Sequence, residues 1–348
     1  MHRRTFLYTS FALALTSERV WAANTFQTHQ WRRDPRNPVL PPGGGAFDTN
    51  RCMNPFVVTR DGEYWLFYGG ADRNGRHTIC LATCPVDDVA QWKRLGPVLE
   101  PGGVGAFDET WTVLPCLHRI GDKWHLYYTG RSADRGAGLQ GFRGIGLATS
   151  DDLLHWKKVS EQPVLLGDGF DEWPDNKGIA GGGPIIELPQ PDGRILYRMH
   201  YTLATGTPSK DLRVDQAKQS VIAHSYDGLK WTDRRVVLQP RADAAYENAA
   251  TIALNPWRTE SGGWHALYAS IGTQFGAYSI CEATSQDGLH WHRGAPGENL
   301  SLPPGTAAWE NQMTEYPHVV DEGHQLRLFY CGNGYGTTGI GTAVAAKL

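Results

Sequence analysis

From Phe107 to Pro163 the hydrophobic positions fall in short runs rich in aromatic and β-branched residues: Val113–Leu117, Trp124–Thr129 and Ile145–Thr149. Gly and Asp residues separate them, as at Gly121-Asp122, and none of this stretch has the 3.6-residue spacing of an amphipathic helix. Short strands joined by tight turns are the predicted elements.

The same order recurs along the chain. Phe47-Asp48, Phe107-Asp108, Phe170-Asp171, Tyr246-Glu247 and Trp309-Glu310 open five copies, their acids about 60 to 76 residues apart. Each copy continues with a proline-marked strand, at Asn54-Pro55, Leu114-Pro115, Gly183-Pro184, Asn255-Pro256 and Tyr316-Pro317. Aromatic strands follow at Tyr64–Tyr68, Trp124–Tyr128, Ile195–His200, Trp264–Tyr268 and Leu326–Tyr330, and then a third strand. Four copies close on a tryptophan: Trp92, Trp156, Trp231 and Trp291. A repeat of about four strands in roughly sixty residues reads as a propeller blade. The predicted fold class is therefore all-β, a five-bladed β-propeller with blades starting near residues 47, 107, 170, 246 and 309. The fifth copy lacks a tail, and residues 31–40, ending Asn37-Pro38-Val39-Leu40, resemble the tail Gly96-Pro97-Val98-Leu99. The N-terminal strand is expected to pair into the fifth blade and close the ring.

Residues 1–23 stand outside this scheme. Arg3-Arg4-Thr5-Phe6-Leu7 precedes an apolar run to Leu15, and Val20-Trp21-Ala22-Ala23 offers a small-residue cleavage site. This is the layout of an export signal, too short for a stable membrane span. The paired arginines resemble the twin-arginine type, with an ordinary secretory signal as the alternative. Residues 24–348 are expected to form a single propeller domain in an exported protein, periplasmic or secreted, with no transmembrane segment in the mature chain.

Composition narrows the partners. Net charge is −3 with 20% charged residues, and no basic stripe suggests nucleic acid. The 41 glycines and 13 tryptophans suit tight turns and aromatic packing, and also carbohydrate stacking. Six dispersed cysteines permit one or two disulfides in an exported protein, although most read as structural thiols. No compact Cys/His spacing points to zinc, and no calcium-loop motif appears, so a structural calcium stays an open option.

Chemistry in a propeller sits where the innermost strands ring the central funnel. Glycosidic cleavage there needs one carboxyl group to protonate the leaving oxygen and another to activate water or attack the sugar. The repeat-opening acids Asp48, Asp108, Asp171, Glu247 and Glu310 recur in every copy, which favours a structural tie for each while keeping them near the funnel rim. Departures from the repeat are more informative. Glu109 and Trp111 are particular to the second copy, and Arg51 precedes the proline strand of the first. The third copy inserts about six residues carrying Asp175 and Lys177. Glu315 lies two residues before Pro317, where proline-based alignment places Met53, Val113, Gly182 and Leu254 in the other copies. His200 and His318 sit on or beside these strands, either bonding sugar hydroxyls or packed in the core, and Arg143 lies in a polar loop of the second copy.

The recurring Phe-Asp, proline-marked strand, Gly144-Ile145-Gly146-Leu147-Ala148-Thr149-Ser150 and Asp227-Gly228-Leu229-Lys230-Trp231 resemble the five-bladed, furanosidase-type glycoside hydrolase superfamily, which includes families 32, 43, 68, 117 and 130. The resemblance covers about Trp31 to Val344 and singles out no one family. It implies an acid–base pair of carboxylates with a third tuning their pKa. Families 43 and 32 place an aspartate directly before the first proline, where this chain has Asn54. The roles the resemblance implies are Asp48 as base or water activator, Glu315 or Glu247 as acid, Asp175 as orienting or tuning group and Glu109 as reserve acid. Arg51, Asn54, Trp111, Arg143, Lys177, His200 and His318 are the expected substrate contacts. Three functions remain compatible: an exo-acting hydrolase of a plant or algal oligosaccharide or glycoside, a phosphorylase holding phosphate with Arg51, Arg143 and Lys177, and an inert carbohydrate-binding propeller.

Overall fold

The computed structural model describes residues 26–133, 143–167, 178–205 and 217–348. Residues 1–23, expected to be an export signal, lie outside the described residues, as do Asp171, Asp175 and Lys177. The chain is nearly all β, with its sheets in a propeller-like arrangement and almost no helix. Among the described residues no helix is long and apolar enough to cross a membrane.

After a short β1 (Arg32–Arg33), the first repeat forms β2 (Arg51–Arg60), β3 (Glu63–Ala71), β4 (His77–Pro85) and β5 (Lys93–Leu99). The second forms β6 (Trp111–Ile120), β7 (Lys123–Arg131), β8 (Arg143–Ser150) and the fragments β9 (Lys157–Lys158) and β10 (Leu165–Leu166). The third has a split inner strand, β11 (Ile179–Gly181) and β12 (Ile185–Pro189), then β13 (Ile195–Thr205), β14 (Ala217–Ser225) and β15 (Thr232–Leu238). The fourth comprises β16 (Ala250–Arg258), β17 (Trp264–Ile271), β18 (Tyr278–Ser285) and β19 (Leu300–Leu302). The last comprises β20 (Glu315–Asp321), β21 (Leu326–Cys331) and β22 (Ile340–Ala345), with β1 pairing antiparallel to β22 as its outer strand. Each repeat is an antiparallel meander. Single parallel bridges, His77 to Trp111 and Lys218 to Ala250, join the first meander to the second and the third to the fourth. β20 packs against both β16 and β2, so the last meander meets the first.

The core lies between neighbouring meanders. One buried cluster joins Phe67 and Ile79 of the first to Leu126 and Tyr128 of the second, and another joins Leu267 and Ile280 of the fourth to Leu328 and Tyr330 of the last. Chain-closing tryptophans stitch these seams: Trp156 meets Phe67 edge-on at 6.0 Å, Trp231 meets Tyr127 at 5.7 Å and Trp92 meets Phe329 at 6.1 Å. Because apolar burial is spread over several seams, a chain this long needs no single oversized core.

The turn before three of the repeat-closing tryptophans, Trp156, Trp231 and Trp291, is locally encoded. Asp152, Asp227 and Asp287 each accept the backbone N–H groups two and three residues on, and Ser150, Ser225 and Ser285 cap the same turns. All six cysteines are buried and free, so the disulfides allowed by their even number are not formed. They sit on strands as small apolar side chains packed in the seams.

Candidate active site

The inner strands share one irregularity. Pairing slips between Met53 and Phe56, Val113 and Cys116, Ile252 and Asn255, and Glu315 and His318. At each slip a residue other than glycine takes the left-handed conformation: Asn54 (φ 55°), Leu114 (54°), Ala253 (52°) and Tyr316 (52°). The third repeat breaks its pairing at Ile179/Gly181 instead. These bulges point backbone and short side chains toward the axis. There a cavity of about 40 Å³ is lined by Asn54, Leu114, Gly182, Ala253, Tyr316 and His318. It has room for about one water and none for a sugar ring, so it is the floor of a site.

Aligning the repeats by these bulges corrects the alignment by prolines. The residue before each left-handed position is Met53, Val113, Ile252 and Glu315, with Gly181 at the break of the third repeat. Ile252 therefore replaces Leu254, and Gly181 replaces Gly182, as counterparts of Glu315. Proline position is a poor register mark because Pro256 pairs with Ala266, beyond the bulge.

Glu315 is a carboxylate where every counterpart is apolar or glycine. It is fully buried and in no ion pair among the described residues, the Tyr316 side chain being its hydrogen-bonding neighbour. Burial pushes its pKa up from 4.5 to about 8, although Lys218, the Tyr316 side chain and Arg51 pull the other way. Lys218 Nζ donates to the Tyr278 hydroxyl at 2.9 Å and lies 5.6 Å from the centre of that ring. Tyr335, 38% exposed in a turn at Asn333–Gly336, meets Tyr278 edge-on at 6.1 Å. A second small cavity is lined by Lys218, Tyr316, Gly181, Gly182 and Ala253, beside Glu315. The carboxyl group is thus held neutral near neutral pH, within the influence of Lys218 and of Tyr278, against which Tyr335 packs.

Trp111 opens β6 with the Arg131 guanidinium 4.6 Å and that of Arg143 5.4 Å from its ring, and His77 4.9 Å away. Burial pushes His77 down to about 4, with Arg51 and Arg131 adding to the shift, so the imidazole is neutral. Glu109 precedes this strand and accepts the Gly105 N–H at 3.2 Å. The strand ends that bracket residues 134–142 and 206–216 are Arg131 with Arg143 and Thr205 with Ala217. These ends, and the start of β11 just after 168–177, lie level with Trp111 and Ala250 at the face where the inner strands begin.

The repeat-opening acids do a different job. Asp48 accepts from Tyr68 Oη at 2.9 Å and Arg94 Nε at 2.8 Å. Asp108 accepts from Tyr128 at 2.9 Å and Lys158 at 2.5 Å. Glu247 is held by Tyr268, by Arg241 at 2.9 Å and by Arg293 at 3.3 Å, and Glu310 by Tyr330 at 2.8 Å and Arg33 at 2.9 Å. Each acid ties the start of a repeat to the middle strand and a basic residue nearby, and none lines the axial cavity. Asp48, expected as the base, and Glu247, expected as a candidate acid, thus have their oxygens in buried ion pairs.

The two histidines part company. His318 lines the axial cavity, with its ring 4.3 Å from Phe56, Nε2 3.1 Å from the Val57 carbonyl and Nδ1 3.5 Å from the Asn255 amide. Burial pushes it down to about 4, so it is a neutral part of the floor. His200 lies in the third meander with Nδ1 3.4 Å from the Pro184 carbonyl, and burial pushes it down to about 3. It lines neither of the two cavities described here. Asn54 lines the floor, and its N–H donates to Cys331 Sγ at 3.1 Å. Arg51 opens β2 and acts on both Glu315 and His77. Lys218, Tyr278 and Tyr335 were invisible to the repeat comparison, because what sets them apart is their convergence on Glu315 across three meanders.

No protein-family model matches the chain. It is similar to an uncharacterized protein of Mycobacterium tuberculosis, 28% identical over 324 residues that cover 90% of this chain and 98% of that one. Among solved structures, it resembles one from work on the glycoside hydrolase family 130 of mannoside phosphorylases, which contains hydrolases of β-1,2-mannosidic linkages in Candida mannan. That match has TM-score 0.66 at 17% identity and covers 94% of this chain and 98% of the other. A thermostable family-43 glycoside hydrolase matches with TM-score 0.62 at 18% identity, covering 88% and 91%. The chain has the fold of the propeller glycoside hydrolases.

Proposed function

We propose that this protein is a five-bladed propeller glycoside hydrolase that cleaves a terminal sugar, with Glu315 as the general acid. The observation that carries the reading is Glu315 itself: a fully buried carboxyl group in no ion pair among the described residues, its pKa raised to about 8, at the inner-strand position where the other repeats carry an apolar residue or glycine. A general acid must be protonated at working pH, and desolvation produces that state. The second carboxylate, Glu109 at the start of the second blade's inner strand or else Asp175 of the third repeat's insertion, activates water. Trp111 and Tyr335 offer ring faces for stacking on the sugar, and Arg51 and Lys218 orient it. The shallow floor of about 40 Å³ supports a site closed at one end, and so exo-action on a plant or algal oligosaccharide or glycoside.

A second reading is favoured by the cations Arg51 and Lys218, which both act on Glu315. A phosphorylase would keep the acid and let phosphate replace the second carboxylate. We also read the protein as exported through its N-terminal twin-arginine signal. Six unbridged buried thiols support that route, since such a chain folds before it leaves the reducing cytoplasm.

The test is product release from a panel of furanosides, pyranosides and plant or algal oligosaccharides, with and without phosphate. Free monosaccharide that disappears in Glu315→Gln supports the hydrolase. Phosphate-dependent sugar phosphate moves the phosphorylase forward. Turnover unchanged in Glu315→Gln would sink both.

A further inference from the structure

Away from the funnel, the segment before β1 lies against the fourth meander. There His29, His265 on β17 and Glu282 on β18 meet, all buried. Glu282 Oε2 lies 2.9 Å from His29 Nδ1 and 2.7 Å from His265 Nε2, and the candidate ligand atoms of the three residues lie within 4.8 Å of one another. The other oxygen, Oε1, is held separately. It accepts the His29 backbone N–H at 3.0 Å, Trp31 Nε1 at 3.3 Å and the Ser301 hydroxyl. Trp257 stacks on the His265 ring at 5.0 Å with 8° between the planes, which fixes that imidazole.

We propose that His29, His265 and Glu282 form a structural site for a divalent transition-metal ion of the zinc class, clipping the N-terminal segment to the fourth meander. Two imidazole nitrogens and one carboxylate oxygen form a donor set that zinc accepts, and a water molecule completes four-coordination. Fixing one carboxylate oxygen with outside donors while the other faces two imidazoles is how outer-shell partners orient a metal ligand. Tetrahedral zinc places its ligand atoms about 3.3 Å apart, so each ring would withdraw from Oε2 by about half an ångström, while the two ring nitrogens, within 4.8 Å of each other, settle to that spacing. Each imidazole binds as the neutral ring, with its proton on the nitrogen away from the metal. His29 and Glu282 are 253 residues apart in sequence, so one ion would join the start of the chain to its fourth repeat. No spacing motif could reveal such a site.

The experiment uses the full chain, stripped with chelator and titrated with Zn²⁺ or with Co²⁺ as a visible probe. One bound equivalent is expected, with the cobalt absorption of a four-coordinate site and a rise in Tm on adding zinc. His29→Ala should abolish the cobalt spectrum and the zinc-dependent Tm rise while keeping a cooperative melt, because His29 lies outside the sheets. Ser301→Ala, which removes one of the three donors that hold Oε1, should weaken affinity by about 10-fold or more. Absence of stoichiometric binding, or wild-type binding by His29→Ala, overturns the proposal. Should His265→Ala fail to fold, the His29 variant alone decides.

Discussion

Replacing Glu315 with glutamine should remove activity and stabilise the protein at the same time. Glutamine matches the protonated carboxyl in shape and never ionises. A carboxyl whose folded pKa lies above its unfolded value favours the fold in its protonated form. That contribution is complete below the unfolded value of 4.5 and is lost as pH rises through about 8. At pH 7 the wild type must either take up a proton or bury a bare charge, at a cost of about 3 kcal/mol. Glu315→Gln escapes that cost, so denaturant unfolding at pH 7 should show it more stable by up to about 3 kcal/mol. At roughly 2 °C per kcal/mol, Tm should rise by about 6 °C. The gap should close near pH 4, widen up to about pH 8 and stay flat above that. Hydrolysis should fall by about 10²- to 10⁴-fold, the usual worth of a general acid. A variant no more stable than wild type at pH 7, or a stability gap independent of pH, would refute a neutral, desolvated Glu315.

The remaining predictions separate scaffold from site. Asp48→Asn breaks a buried ion pair with Arg94 and should cost about 2 to 4 kcal/mol in denaturant unfolding, while activity per folded molecule stays near wild type; a large loss of kcat without destabilisation would return Asp48 to the chemistry. Lys218→Met removes a cation that lowers the Glu315 pKa, so the basic limb of the pH–rate profile should move to higher pH. A limb that stays in place would separate Lys218 from the acid. The six thiols should resist an aqueous thiol reagent in the native protein and all react after unfolding without reductant; a smaller count would reveal a disulfide.

Some of this architecture is written in short-range order. The short aromatic and β-branched runs, Gly/Asp turns and recurring aromatic strands specify a nearly all-β chain, because each strand and turn depends on residues a few positions apart. The Ser-x-Asp turns before the tryptophans are likewise local, their side chains bonding backbone within three residues. The oddity of Glu315 was also legible, since a repeat supplies its own controls. Which acid is free was not legible. Asp48, Glu247 and Glu315 look alike as isolated carboxylates, and only three-dimensional packing gives Asp48 its Arg94, Glu247 its Arg241 and Arg293, and leaves Glu315 in no ion pair among the described residues. The left-handed bulges decided the true counterparts of Glu315 where prolines misled. Tertiary structure alone brought Lys218, Tyr278 and Tyr335 to Glu315, and His29 to Glu282. Burial and electrostatic pairing depend on distance in space, and the chain encodes that distance only through the closing of its sheets.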